Sequence, residues 1–311
     1  MKVYHSLEEF SKLDNAIVTT GTFDGVHIGH QAILNRLVEF AKKEKGESVL
    51  ITFFPHPRMV LQKDLNIKLL NTVSEKIALL SKTGIDHLLV FPFTKEFSRM
   101  SSVDFVRDIL VNKIGTKKLV IGYDHQFGRN REGSFDHLQE YGPVYGFDVE
   151  EISAQDIDDI SVSSTKIRSA LIDNGDVKTA GKYLGSLYHL SGTVVSGKRI
   201  GKKIGFPTAN IKIEEDYKLI PKDGVYAVSL EIDRIIYKGM LNIGKRPTVE
   251  GIDRTIEVNI FDFDKEIYNH EIKLCFVDRL RNEQKFENIE ALKNQLSTDK
   301  ENALRIFESL K

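Results

Sequence analysis

The chain reads as two joined folds, an α/β domain built on a parallel sheet up to residue 184 and a small β domain closed by a terminal helix over 185–311. Three observations predict this. In the first half, short apolar runs alternate with stretches of helical periodicity, the pattern of a parallel sheet with helices on both faces. In the second half, strand-like runs follow one another with only turn residues between them, as in an antiparallel sheet or small barrel. The length of 311 residues is enough for two ordinary domains.

Taken in order, Ala16–Thr20 is a buried strand and Gln31–Lys45 a helix, with Ile33, Leu34, Leu37, Val38 and Ala41 on one face. Ser48–Phe54 is a second strand, stopped by Pro55 and Pro57. A helix from Val73 to Thr83 ends at Gly84, and His87–Phe91 is a third strand. Ser102–Lys113 is helical before Gly115, and Lys118–Gly122 is a fourth strand. Helical stretches at Ser164–Leu171 and Asp176–Tyr183 follow, and the pattern changes near Gly185. Strands are then expected at Gly192–Val195, Gly224–Glu231, Arg234–Leu241, Arg254–Phe261 and Glu271–Val277, with turns at Asp223-Gly224 and Glu250-Gly251. Phe286–Lys311 is helical, with a break expected near Ser297.

Lys and Arg number 44 against 45 Asp and Glu, so the net charge of −1 offers no overall attraction to nucleic acid or anionic lipid. Cys275 is the only cysteine, which excludes an intramolecular disulfide and suits a reducing compartment. No apolar run has signal-peptide or membrane-span length. The expectation is a cytoplasmic protein that acts on small molecules, without nucleic-acid or membrane partners, as a monomer or weak oligomer.

Two stretches carry the chemistry. The first is Gly21-Thr22-Phe23-Asp24-Gly25-Val26-His27-Ile28-Gly29-His30, after a strand and at the start of a helix. Free N–H groups and the dipole make a helix start a phosphate site. Gly21, Gly25 and Gly29 let the backbone approach a ligand. His27 and His30, three residues apart, share one helical face and could both donate to phosphate oxygens. Histidines there also act as caps or zinc ligands, but no third histidine or cysteine stands at a zinc-ligand spacing nearby. The second stretch sets Gly197, Gly201 and Gly205 around Lys198, Arg199, Lys202 and Lys203, then runs on through Phe206, Pro207, Thr208, Ala209 and Asn210. It is neither a Walker loop nor, lacking a strand-to-helix context, a dinucleotide fingerprint. A basic glycine loop alone also fits a solvated hairpin. Thr208 and Asn210 add hard oxygen ligands suited to Mg²⁺ and its phosphates.

The first stretch resembles the nucleotidyltransferases that carry His-x-Gly-His. Ser163-Ser164-Thr165-Lys166-Ile167-Arg168 is similar to that family's Ser-Ser-Thr-x-x-Arg, where hydroxyls, a helix start and Arg168 suit phosphate oxygens. Thr52–Pro57 and Gly122–Gly133, including Tyr123, Asp124, His125 and Phe127, resemble bacterial FAD synthetases, departing at His125, where that family often has an aromatic residue. The second stretch resembles the riboflavin kinase motif. Pro221–Tyr226, Asn242–Thr248, Thr255–Val258 and Leu280–Phe286 resemble further elements of it in family order. Asn259 stands where the family often has His, and no role is assigned to it.

The whole chain therefore resembles the bacterial bifunctional riboflavin kinase/FMN adenylyltransferases. The resemblance implies a Rossmann-like nucleotidyltransferase domain at 1–184 and a riboflavin kinase barrel at 185–311. It implies ATP as co-substrate, Mg²⁺, and riboflavin, FMN and FAD as substrate and products. His27, His30 and Arg168 would serve adenylyl transfer, and Glu257 would be the kinase base. Gly21, Phe23, Asp24, Gly25, Gly29, Asp124, Ser163, Ser164 and Thr165 would bind the first nucleotide. Gly197, Gly201, Gly205, Pro207, Thr208, Asn210 and Arg281 would bind the second nucleotide or the flavin, with Thr208 and Asn210 also on the metal. Two alternatives stay open. One is a single-activity nucleotidyltransferase with a flavin-sensing barrel, which ATP turnover with riboflavin would exclude. The other is a non-enzymatic nucleic-acid or partner-binding protein, which salt-dependent RNA binding would support.

Overall fold

The computed structural model describes all residues except 63–65, 123–125, 153–161, 198–199, 249–250 and 310–311. The chain packs as two units, Met1–Ser163 and Ser164–Lys311.

The first unit is built on six strands: β1 (Lys2–Tyr4), β2 (Ala16–Thr20), β3 (Glu47–Phe54), β4 (His87–Pro92), β5 (Thr116–Gly122) and β6 (Asp148–Ile152). They pair in the order β1-β4-β3-β2-β5-β6, all parallel. The uninterrupted apolar runs of the sequence follow from burial on both faces. Val18, Val49, Ile51, Leu119 and Ile121 enter one core, while their neighbours Ile17, Leu50 and Val120 enter the other with Leu34 and Leu37. The helices are α1 (Ile28–Lys43), α2 (Pro57–Leu61), α3 (Val73–Leu80), α4 (Ser102–Asp104) and α5 (Phe135–Tyr145). α1 starts three residues before the expected Gln31 because His27 caps it. The expected helix after Ser102 is α-helical only for α4, then widens to π-type turns over Phe105–Ile114 and ends at Gly115, φ 86°. From β2 the chain moves to β3 and β4 on one side, then returns to β5 on the other. The crevice at the carboxyl ends of β2 and β5 is therefore the topological switch point, where open α/β sheets bind ligands. The Gly21–His30 stretch leaves β2 there.

The second unit opens with α6 (Ser164–Ser169), a π-type turn at Ala170–Asn174 and α7 (Val177–Leu184). This packing division lies upstream of the pattern change at Gly185. The Lys222 N–H donates to Leu171 O at 2.9 Å, and Lys178 pairs with Asp278 at 2.6 Å. Then come β7 (His189–Val195), α8 (Ile200–Lys203), β8 (Ala209–Lys212), β9 (Gly224–Ile232), β10 (Ile235–Thr248), β11 (Gly251–Ile260), β12 (Glu271–Arg281) and α9 (Ile289–Glu308). The strands close an antiparallel barrel in the order β10-β11-β8-β7-β12-β9. Asp223-Gly224 opens β9 instead of turning a hairpin. The turn lies at Asp233 and Arg234, both with positive φ, as a tight two-residue hairpin requires. Glu250 lies outside the described residues.

α9 lays Ala303 and Phe307 on Ala227, Met240, Phe261 and Val277 of the barrel. The break expected near Ser297 is absent. The Ser297 and Thr298 hydroxyls donate back to the carbonyls of Lys293 and Asn294, so both residues fit inside a continuous helix.

Candidate active sites

The loop between β2 and α1 is pinned on several sides. Gly21 N–H donates to Ile51 O at 3.0 Å. Thr22 O accepts from Thr52 Oγ1 at 3.0 Å and from Lys76 Nζ at 2.7 Å. Gln31 Nε2 donates to Val26 O at 2.9 Å. These ties hold a backbone with positive φ at Phe23 (46°), Gly25 (92°) and Val26 (44°). For a β-branched valine that conformation costs about 1–3 kcal/mol, tolerated where surrounding structure over-determines it.

Asp24, expected to bind ligand, is 1% exposed and serves the scaffold. Its carboxylate accepts from the N–H groups of Leu70, at 2.9 and 3.1 Å, and Asn71, at 3.3 Å. Phe23 is likewise buried, its ring 4.7 Å from that of His30. Gly21 faces the Phe23 ring, which an added Cβ would meet at 2.9 Å, and Gly29 is buried in the first turn of α1.

His27 is the N-cap of α1, and its Nδ1 accepts from the His30 N–H at 3.3 Å. The neutral ring therefore carries its proton on Nε2, leaving that N–H as donor. The two imidazoles stack, with centroids 3.6 Å apart and planes 15° apart. Side-by-side donation from one helical face thus becomes a stacked pair of a cap and a first-turn residue. His30 Nδ1 is enclosed without a partner. Burial, followed by the charges of His27 and Lys76, holds the His30 imidazole well below the usual histidine range. A neutral His30 stacked on the His27 cap leaves the first N–H groups of α1 and the His27 ring as donors beside it.

Ser163, Ser164 and Thr165 stand at the start of α6, with Ile167 buried and Arg168 half-buried along it. Asp124, Tyr123 and His125 lie outside the described residues. Phe127 belongs to the core, 5.9 Å from Phe105 between ring centroids.

In the barrel, β11 aligns Glu257 directly opposite Asn210 of β8 and Asn242 of β10. Thr208 Oγ1 donates to Glu257 Oε2 at 3.4 Å. A hydroxyl, an amide and a carboxylate thus meet at one corner of the barrel, with Thr208 exposed. Gly197 packs on Asn210, where an added Cβ would fall 2.0 Å from the amide nitrogen. α8 follows β7, a short strand-to-helix passage that the sequence reading did not anticipate. It ends at Gly205, φ 85°, with Phe206 N–H on Gly201 O and Gly205 N–H on Lys202 O. That paired closure needs a left-handed residue, which explains the glycine. It brings Gly201 against Phe206 O and 3.5 Å, from an ideal Cβ, to Thr208 Oγ1. Lys198 and Arg199 lie outside the described residues.

Asn259, left without a role by the sequence, donates from Nδ2 to Pro207 O at 2.7 Å and so sets the bend before Thr208. Its signal was position: two residues past Glu257, it shares that residue's face of the strand. Arg281 is engaged with Asp299 of α9, Nε at 2.9 and 3.0 Å and Nη2 at 2.7 Å, its guanidinium 5.7 Å from the Phe286 ring. Asp299 is 1% exposed and also accepts from Gln295. Arg281, expected at the flavin, thus ties α9 to the barrel.

The FAD synthetase family model matches residues 9–166 and the riboflavin kinase model residues 184–307. Over 310 residues the chain is 34% identical to the bifunctional riboflavin kinase/FMN adenylyltransferase of Escherichia coli K12, covering 99% of this chain and 98% of that protein. The chain belongs to the bifunctional riboflavin kinase/FMN adenylyltransferase family. The protein of that name from Pseudomonas fluorescens is 37% identical over 284 residues, 91% of this chain and 90% of that one. A solved structure described as a macrolide-efflux protein from Streptococcus pneumoniae superposes with a TM-score of 0.87 at 31% identity, covering 96% of this chain and 97% of that one. Efflux does not carry over with the fold. Among the described residues, no helix is long and apolar enough to cross a membrane.

Proposed function

We propose that the module up to residue 184 adenylylates FMN and that the barrel phosphorylates riboflavin, each with its own residues. One observation carries this: a stacked histidine pair at a helix start in the first unit, and a separate Thr208–Asn210–Glu257 corner in the second.

In the kinase step the ribityl 5′-hydroxyl attacks the γ-phosphorus of ATP. Its proton goes to Glu257, the β–γ bridging P–O bond breaks, and FMN and ADP result. Thr208 Oγ1 and the Asn210 amide oxygen are hard donors that fit Mg²⁺. Held there, Mg²⁺ would supply charge neutralisation for the transferring phosphate. Asn259 keeps Pro207 and Thr208 in place, and the Gly197–Gly205 segment approaches the nucleotide.

In the adenylyl step a phosphate oxygen of FMN attacks the α-phosphorus of a second ATP, and the bond to pyrophosphate breaks. The nucleophile is already an anion, so no base is required. Catalysis comes from positioning and from donors, His27 Nε2–H and the first N–H groups of α1. Arg168 and the Ser163–Thr165 hydroxyls are assigned to the nucleotide phosphates from their motif, and Asp124 likewise. The functional modules are taken as 1–184 and 185–311. ATP chemistry and a lone cysteine suit the cytoplasm.

The test is chromatography of flavins after incubation with riboflavin, ATP and Mg²⁺. FMN followed by FAD is expected. FMN alone would remove the adenylyl assignment, and no new flavin would remove both.

A further inference from the structure

Lys76 is a buried lysine that neither reaction uses. It sits in α3, 7% exposed, and its ammonium donates to the Thr22 carbonyl at 2.7 Å. It makes no carboxylate ion pair among the described residues. Burying an ammonium against a backbone oxygen is costly. Burial pulls the Lys76 amine below its usual value, an effect the Asp24 charge opposes. The stretch just before α3 reaches the loop as well, through the Leu70 and Asn71 N–H groups on Asp24. Asn71 Oδ1 is enclosed without a partner, as is His30 Nδ1.

We infer that Lys76 is a positioning residue of the adenylyl-transfer site, anchoring the loop at Thr22 and setting a fixed positive charge beside the stacked histidines. The inference rests on the reading that His27 and His30 serve that reaction. The loop root at Thr22 lies between the strand and the strained Phe23–Val26 turn, so the tie fixes where His27 begins α1. The charge acts separately. A proton taken up by His30 would face Lys76 and the stacked His27 ring, and burial opposes it as well. On the same loop and helix, the Asp24 carboxylate is held by backbone N–H groups and Glu75 accepts from the Thr72 N–H; the first turn of α1 has no acidic residue.

The experiment measures FAD formation from supplied FMN and ATP across pH for wild type, Lys76→Met, Lys76→Arg and His27→Ala. Riboflavin phosphorylation by the same chains serves as an internal control for folding. For Lys76→Met, kcat for FAD formation is expected to fall, up to about 100-fold, the cost of an ångström-scale misplacement. Its acid-side loss of activity should move to higher pH, because removing a cation lets the imidazoles protonate more readily. Lys76→Arg, which keeps the charge, should keep the wild-type acid limb. If Lys76→Met loses kinase activity too, Lys76→Gln, which still donates to Thr22 O, replaces it with the same expected shift. A rate loss equal at every pH, or no loss, would overturn the inference. If His27→Ala made FAD at the wild-type rate, the assignment of the histidine site would itself be wrong, a failure distinct from that of Lys76.

Discussion

The Gly21–His30 loop and the Thr208–Asn210–Glu257 corner, the two proposed ATP sites, are tied down in different ways. The loop is held by Ile51, Thr52, Leu70, Asn71 and Lys76, and its histidines are stacked. At the corner, Thr208 Oγ1 lies 3.4 Å from Glu257 and Asn259 ties Pro207 beneath it, with Thr208 exposed. The chemistry explains the difference. Adenylyl transfer to an anionic nucleophile asks for fixed donors and no proton acceptor, so rigidity serves it. Phosphorylation of a neutral hydroxyl asks for a carboxylate that stays available, and its donor set is completed by the metal and the nucleotide.

Removing the base should have the largest effect. Glu257→Gln should lower FMN formation from riboflavin by about 10²–10⁴-fold, the range for general acid–base groups, and leave FAD formation from FMN unchanged in a coupled pyrophosphate assay. His27→Ala should lower FAD formation by about 10²–10³-fold, typical of a lost transition-state donor, and spare the kinase. Asp299→Ala would leave the Arg281 guanidinium without its buried partner. It should cost the barrel unit about 3–5 kcal/mol in denaturant unfolding and should raise the KM for riboflavin by loosening α9. Asn259→Ala removes one hydrogen bond and should weaken MgATP binding by about 1 kcal/mol, read as a several-fold rise in KM. The smallest effect concerns acid. His30 is harder to protonate in the folded chain, so between its ordinary value of about 6.5 and the depressed folded value the unfolded chain binds the extra proton. The first unit should lose stability as pH falls through that window, and His30→Asn should flatten the loss in a series of melts.

The parallel sheet was legible because both faces of β2, β3 and β5 are buried, which writes continuous apolar runs into the sequence. β1 and β6 were not, being short edge strands, Lys2–Tyr4 and the carboxylate-rich Asp148–Ile152, whose charges suit an unpaired edge. β8 was hidden inside the Thr208–Asn210 motif, and the Asp233-Arg234 turn has neither glycine nor asparagine. Both histidines, Glu257 and the glycine spacings were readable as motifs. What positions them was not. No sequence motif includes Lys76, while Asp24 reads as a nucleotide contact and Arg281 as a nucleotide or flavin contact. Their roles depend on Thr22, Leu70 and Asp299, partners 18 to 54 residues distant, and no local pattern encodes such pairings.

The most direct test of two independent sites is complementation between His27→Ala and Glu257→Gln, followed by chromatography of flavins. Alone with riboflavin, ATP and Mg²⁺, the first should stop at FMN and the second should make nothing, while the two mixed should make FAD. If either folded variant lost both activities, or if the mixture made no FAD, the account of two separate sites would be contradicted.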